Sequence, residues 1–437
     1  MTDPSKTDPT RLCPGCFRVE LPEGTCERCG FDRAQASSPT TLPVGAVLAG
    51  KYLIGRVLGS PGGFGITYLG WNLHLQTRVA IKEFMPRDLV ARSNSRYEIV
   101  PHTGDDHESF VYGLGKFLEE ARTLAKFDHR NVVQVSDYFE ENGTAYLVMK
   151  YYDGAPLSDY VAAQGGTIPL DVAVQIFLPV LDALEDVHAR GFLHRDIKPS
   201  NIYLTDKGRP ILLDFGASRQ AMSERSRSLS AVLTPGYAPF EQYHRRGRQG
   251  PWTDIYACAA TFYRVVVGVA PPEANSRMAG EELRAPHEVV EGMSRSMSEG
   301  ILRALEVRAA DRLQTVAELE DVLRDRWDPS APRAPQGAWA EAEGTGSGHA
   351  RPGSADTPDA SSHSGPARQP GSADADTQPV GAGAAAWNDP TRPVNRAAGS
   401  VPFDATRPLH GAGGPPAGGS GGGDDGGKGD DAGGGAG

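Results

Sequence analysis

Nearly every long apolar segment of this chain lies between residues 51 and 327, and the pattern changes character once along that span. First come short β-rich runs: "KYLIGRVLG", "GITYLGW", "TRVAIKEF", "NVVQVSDYFE" and "TAYLVMKYY". The turn "ENGT" at 141–144 carries Asn and Gly, which suits an antiparallel hairpin. One helix interrupts them at 108–127, where Phe117, Ala121, Leu124 and Phe127 recur at helical spacing. After residue 155 the pattern is helical. Phe177, Leu181, Leu184 and His188 share a face of a helix that Pro179 should kink or restart. The segment "WTDIYACAATFYRVVVGV" (252–269) is apolar nearly all round and reads as a buried helix with Cys258 as a small core residue. Its length and its internal Asp and Arg speak against a membrane span. A strand-rich lobe followed by a helix-rich lobe leaves a cleft between them for a ligand.

The rest of the chain is of another kind. Residues 11–32 are cysteine-rich, 33–50 read as a Ser/Thr/Pro/Ala linker, and 328–437 form a Gly/Pro/Ala/Ser/Asp tail. With so few large apolar residues the tail cannot offset its ordering entropy and is expected to be disordered. A net charge of −11 argues against nucleic acid or an anionic membrane as the main partner. The first residues lack the basic and apolar regions of a secretory signal, so a cytoplasmic setting is expected.

The stretch "LGSPGGFGITY" (58–68) brings four glycines together between two apolar runs, as a phosphate-facing loop requires. Its spacing departs from G-x-G-x-x-G: Gly62 and Gly65 supply the last two glycines, while Gly59 lies one residue too far upstream. Downstream, "VAIKEF" places Lys82 on the third strand and "KFLEEARTLAKF" offers Glu120, with Glu119 the adjacent alternative. "HRDIKPSN" supplies Asp196, Lys198 and Asn201, and "LLDFGAS" supplies Asp214, 18 residues after Asp196. In this order, over residues 51 to about 327, these strings resemble the eukaryotic-like (Hanks-type) serine/threonine protein kinases of bacteria. The resemblance implies an α+β, bilobal fold with a strand-rich N-lobe and a helical C-lobe.

It further implies ATP and Mg²⁺ or Mn²⁺ as cofactors and protein hydroxyls as acceptors. Lys82, held by Glu120, would reach the α- and β-phosphates, and Asp196 would accept or orient the hydroxyl proton. Asn201 and Asp214 would supply oxygen ligands to the metal. Lys198 resembles the serine/threonine branch, where it meets the transferred phosphate. Gly59, Gly62, Gly63 and Gly65 would cover the phosphates, and Ala80, Met149 and Tyr151 would border the adenine, Met149 as gatekeeper. Relative to the family's G-x-G-G-F-G, one extra residue lies at Ser60–Pro61. Pro61 lacks an N–H and fixes φ, so altered ATP affinity is expected rather than lost catalysis.

From Asp214 to Glu241 runs the activation segment, its usual Ala-Pro-Glu end altered to Pro239-Phe240-Glu241. By resemblance Glu241 pairs with Arg312, and Thr234 steadies the site beside Asp196 and Lys198. Ser223, Ser226, Ser228 and Ser230 alternate with Arg225 and Arg227 in what is either a flexible polar loop or a phosphorylation segment. In the second case a phosphate could pair with Arg195 and order the loop.

Cys13, Cys16, Cys26 and Cys29 form C-x₂-C-x₉-C-x₂-C, a pattern that suits tetrahedral Zn²⁺. Redox dithiols are the alternative, but these would sit at a strand–helix junction of a larger domain. A segment of this size cannot build a core alone, so metal binding would supply its folding energy. In the tail, "DTQPV", "DPTRPV" and "DATRPL" repeat a motif around Thr377, Thr391 and Thr406. They read either as low-complexity drift or as autophosphorylation sites for forkhead-associated readers. A homodimer is compatible with the resemblance. Set against an active kinase stands a pseudokinase scaffold recruiting partners through ribbon and tail. The retention of Lys82, Glu120, Asp196, Asn201 and Asp214 separates the two in favour of the enzyme.

Overall fold

The computed structural model describes residues 8–34, 38–59, 63–216, 233–244 and 247–330. The expectations placed on Ser60, Pro61, Gly62, Ser223, Ser226, Ser228, Ser230 and the tail threonines fall outside these residues.

The N-terminal half of the domain is a six-stranded antiparallel sheet with one helix against it. Its strands are β1 (Val47–Leu48), β2 (Tyr52–Val57), β3 (Gly65–Asn72) and β4 (Thr77–Phe84). A two-stranded arm, β5 (Val90–Arg92) and β6 (Ile99–Pro101), then leads into helix α1 (Gly104–Leu124). The chain returns to the sheet as β7 (Val135–Glu141) and β8 (Thr144–Lys150), giving the order β1-β2-β3-β4-β8-β7. Asn142 and Gly143, at φ 55° and 71°, make the two-residue β7–β8 turn that the sequence signals. Thr103 caps α1 by accepting from the Asp106 N–H, and the buried face of the helix sets Phe110 and Phe117 against Phe84.

Under this sheet lies a buried charge network. Glu83 is fully buried and accepts from Tyr68 Oη and Tyr146 Oη, each at 2.9 Å, and from the Arg92 guanidinium. Burying that carboxylate is tolerable because a cation and two hydroxyls surround it. Tyr68 Oη in turn accepts from the Leu42 N–H at 3.1 Å. This differs from the linker that the composition of 33–50 suggests. Leu42, Ala46 and Leu48 are buried and β1 extends the sheet, so three apolar residues suffice to pin residues 38–50 against the lobe.

The second half is helical. After β9 (Gly154–Pro156) come α2 (Leu157–Ala163) and α3 (Leu170–Ala189). Strands β10 (Ile202–Thr205) and β11 (Pro210–Leu212) complete a small sheet of order β11-β10-β9. Helices α4 (Pro251–Val267), α5 (Ala274–Met278), α6 (Arg295–Ala304) and α7 (Val316–Leu323) follow. Of the kink or restart expected at Pro179, the restart does not occur: α3 is one helix from Leu170 to Ala189. The missing N–H is offset by the packing around it, where Ile176, Phe177, Val180 and Leu181 are buried and Phe177 meets Phe262 edge-on. Helix α4 is buried nearly all round, Cys258 included, and closes on Gly268 at φ 94°.

Glu241 and Arg312 meet as the resemblance implies. Arg312 donates to Glu241 Oε1 at 2.8 Å and Oε2 at 3.2 Å, and to the carbonyls of Trp252, Glu306 and Val307. Thr253 Oγ1 gives Glu241 a further bond at 2.9 Å. Because both charges are buried, Arg312→Ala should leave an uncompensated carboxylate. A loss of about 3–5 kcal/mol in unfolding free energy is expected from chemical denaturation.

Candidate active site and cysteine centre

The loop between α3 and β10 carries the "HRDIKPSN" residues, and its backbone is fixed from below by one carboxylate. Asp254, fully buried on α4, accepts from the backbone N–H of His194 at 2.8 Å and of Arg195 at 2.7 Å. His188 Nε2, at the end of α3, donates to it at 2.8 Å. Burial opposes charge on Asp254, but the His188 bond and the surrounding donors outweigh it and hold its pKa below the usual range. Arg195 is thereby held at φ 67°, a left-handed backbone that a non-glycine residue rarely adopts. The buried His194 ring donates from Nε2 to the Leu213 carbonyl and accepts the Asp196 N–H at Nδ1. Burial lowers its pKa against the pull of Asp254 and Asp196, so it stays neutral with one donor and one acceptor nitrogen.

This framework presents Asp196. Its Oδ2 accepts from Asn201 Nδ2 at 2.6 Å and lies 3.2 Å from Lys198 Nζ; its Oδ1 lies 3.4 Å from Thr234 Oγ1. Lys198 Nζ also donates to Thr234 Oγ1 at 3.0 Å, which closes the group. Asn201 Nδ2 further donates to the Asp196 carbonyl, leaving Oδ1 as the atom suited to a cation. Past the activation segment, Gln242 Nε2 donates to the Arg195 carbonyl at 2.9 Å, tying the segment's end to the same loop.

Asp214 approaches from the other side at φ 52°. Its carboxylate accepts from Lys82 Nζ at 2.7 Å, joining the helical lobe to the sheet. Phe215 packs on His194 with ring centroids 4.5 Å apart, and the Gly216 N–H donates to the His194 carbonyl. Lys82 stands on β4 between Thr67 and Leu147 in register. Of the two adjacent glutamates, Glu120 is the buried one, on the face of α1 that also buries Phe117, Ala121 and Leu124. Glu119 lies at the surface, bonded to Lys116 at 2.7 Å.

The glycine stretch enters from β2 through Gly59 at φ 68° and returns along β3, where Gly65 passes so close to β4 that a Cβ would stand 2.5 Å from the Glu83 carbonyl. At the back of the cleft Ala80 faces Met149 across β4 and β8, and Met149 is buried. Lys150 is exposed beside the Tyr152 ring, and Tyr151 carries the Arg78 guanidinium 4.7 Å from its ring centre. Asp254, His188 and Gln242 do not announce themselves as site residues in the sequence. An aspartate inside an apolar helix was the available signal, since a buried charge requires a partner.

At the N-terminus Cys13, Cys16, Cys26 and Cys29 are all buried, with their Sγ atoms within 4.8 Å of one another. The backbone N–H groups of Gly15, Arg18 and Phe31 favour the thiolate forms of Cys13, Cys16 and Cys29. The Cys13 thiol and the Arg18 N–H draw the Cys16 pKa down to about 5 against the effect of burial. A thiolate supported by amide donors is what a soft divalent cation requires, so the four residues fit a metal.

The protein kinase domain family matches residues 52–321. The chain belongs to that family. The serine/threonine-protein kinase Pkn1 of Myxococcus xanthus is 31% identical over 294 residues, 64% of this chain and 39% of that protein. The serine/threonine-protein kinase PrkC of Bacillus subtilis is 27% identical over 291 residues, 65% of this chain and 42% of that protein. This kinase chain thus spans less than half the length of these curated relatives. Among solved structures, "PpkA-294 apo form" is similar at 35% identity and a TM-score of 0.60, covering 65% of this chain and 99% of that one. Among the described residues no helix is long and apolar enough to cross a membrane.

If Asp254 fixes the catalytic loop, Asp254→Asn should lower unfolding free energy by about 1–3 kcal/mol at neutral pH, read from urea midpoints. The native pKa is depressed, so the wild-type advantage is fully present above the unfolded value of about 3.9 and shrinks as pH falls below it.

Proposed function

We propose that this chain is a serine/threonine protein kinase that transfers the γ-phosphate of ATP to Ser and Thr hydroxyls of proteins, itself included. The observation that carries this reading is the convergence of Asp196, Lys198, Asn201 and Thr234 at one mouth of a cleft whose other side holds the Lys82–Asp214 pair. Phosphoryl transfer asks mainly for positioning and charge neutralisation, and the site is built of fixed charges. Asp196 orients the acceptor hydroxyl and takes its proton. Lys198, beside that carboxylate, meets the transferring phosphoryl group, and Thr234 keeps it there. Lys82 binds the α- and β-phosphates, and Glu120, buried on α1, is the carboxylate assigned to hold it. Asn201 Oδ1 and Asp214 would hold Mg²⁺, which neutralises phosphate charge when bound. The names of the similar proteins agree with a Ser/Thr kinase.

The test is autophosphorylation of the full chain with radiolabelled ATP. Replacing Asp196 with Asn should reduce incorporation by ~10²–10⁴-fold, the usual worth of a positioned base. Equal background incorporation in both proteins would sink the reading.

We further propose that the four cysteines hold one Zn²⁺, on the strength of four buried sulfurs within 4.8 Å of one another. The ion would supply the folding energy of a segment too small for a core of its own. Metal analysis of the purified full chain should find one zinc per chain, and Cys26→Ser should lose it.

A further inference from the structure

The first cysteine knuckle is not a free appendage. The Pro14 carbonyl, between Cys13 and Cys16, accepts the Arg56 N–H of β2 at 3.0 Å. That N–H is available because the β2–β3 register slips between Ile54 and Val57, a bulge that turns the strand outward. Gly55 sits in the bulge, and a Cβ there would stand 2.3 Å from the Pro14 carbonyl and 2.8 Å from the Phe17 ring. The strand is therefore shaped to the knuckle. Phe17, held at φ 48°, buries its ring 5.8 Å from that of Trp71, within a cluster of Leu12, Leu53 and Leu69.

The next residue reaches further. Arg18 Nη2 donates to Asp153 Oδ1 at 2.6 Å, just past the strand that ends at Lys150. Asp153 also receives both Nη atoms of Arg78 at 2.8 and 2.7 Å, and Arg78 lies over Tyr151. The backbone carbonyl of Asp153 accepts the Asp206 N–H of the helical lobe at 2.8 Å. One knuckle thus grips both β2, which feeds the glycine-rich loop, and the connection between the lobes that borders the adenine site.

We propose that the cysteine knuckle is a positioning element of the nucleotide site, with Arg18 acting through Asp153 and Arg78 on Tyr151, and Phe17 acting through Gly55 on the entry to the glycine-rich loop. The proposal rests on the kinase reading above. It makes nucleotide affinity dependent on the integrity of a four-thiolate centre that touches no substrate. Metal loss or thiol oxidation at Cys13 and Cys16 would then be felt at the ATP site.

The test uses the full chain and a fluorescent ATP analogue. Arg18→Ala, whose side chain is about a third exposed, should fold and keep its metal. Its Kd and its KM for ATP should rise roughly two- to fivefold, the worth of one partly exposed ion pair. Its kcat at saturating ATP should hold, and Arg18→Lys should recover most of the affinity. Chelated protein should bind the analogue at least as weakly as Arg18→Ala while keeping its helical circular dichroism. Equal Kd in wild type, Arg18→Ala and chelated protein would overturn the proposal. So would equal falls in kcat and affinity, the mark of general loosening. A wild-type chain that binds no nucleotide would overturn the proposal and the kinase reading together.

Discussion

Asp254 is a full negative charge deep inside a largely apolar helix, and the cost of placing it there is met by three donors aimed at it. Two of these are successive backbone N–H groups, so the carboxylate fixes the path of the chain through His194 and Arg195. It holds Arg195 in a left-handed conformation that the residue would not adopt unaided. From there the geometry propagates in two directions. Forward along the chain it sets Asp196, whose N–H bonds the His194 ring. Across space it sets Asp214, through the bond of His194 to Leu213, the packing of Phe215 on the same ring, and the Gly216–His194 backbone bond. Both carboxylates of the cleft depend on one that no substrate touches.

Above that base, cations and carboxylates face each other in pairs. Lys198 lies against Asp196, and Lys82 against Asp214. Each pair includes a lysine that is largely but not wholly buried, with 17% of its side chain exposed, so the charges keep some contact with water. Such partial burial strengthens their fields relative to bulk solvent without making their release from one another prohibitive. A polyphosphate offers the lysines an alternative anion, and a divalent cation offers the same to the carboxylates. The site is therefore preorganised for exchange of partners rather than for creation of new charge.

What could be read from the sequence follows from the range of each interaction. The strands and α1 were legible because β-rich composition, helical spacing and the Asn142–Gly143 turn are local signals. Lys82, Asp196, Lys198, Asn201 and Asp214 were legible because each sits in a short string of fixed spacing. The Glu-Ala that the family's pattern places there favoured Glu120 over Glu119, and the phase of α1, which buries Glu120 beside Phe117, Ala121 and Leu124, agrees. Asp254 was visible only as an oddity, since its partners lie some sixty residues away in the chain. Glu83 and Arg92 lie only nine residues apart but belong to no motif, and residues 38–50 and Pro179 depend on contacts distant in sequence, the tolerance of Pro179 inside α3 coming from tertiary packing rather than from propensity.

The cysteine segment explains a feature of the strands that alternation alone does not. Apart from Arg56, Thr67 and Asn72, strands β2 and β3 are apolar or glycine on both faces, although a sheet covered on one face should alternate. Tyr52, Ile54, Ile66 and Tyr68 point into the main core, while Leu53, Leu69 and Trp71 point the other way, onto Leu12 and Phe17. This part of the sheet is thus buried on both faces, by the main core below and by the knuckle above. Without the knuckle, three large apolar side chains and the outward N–H of Arg56 would face water together. Such a patch on a lone lobe is an interaction surface that must be covered. The bulge at Gly55 and the apolar outer face of β2 and β3 fit the cysteine segment, so that segment and these two strands pack as one unit. Coupling between thiolate centre and nucleotide loop then requires no added device, because β2 belongs to both.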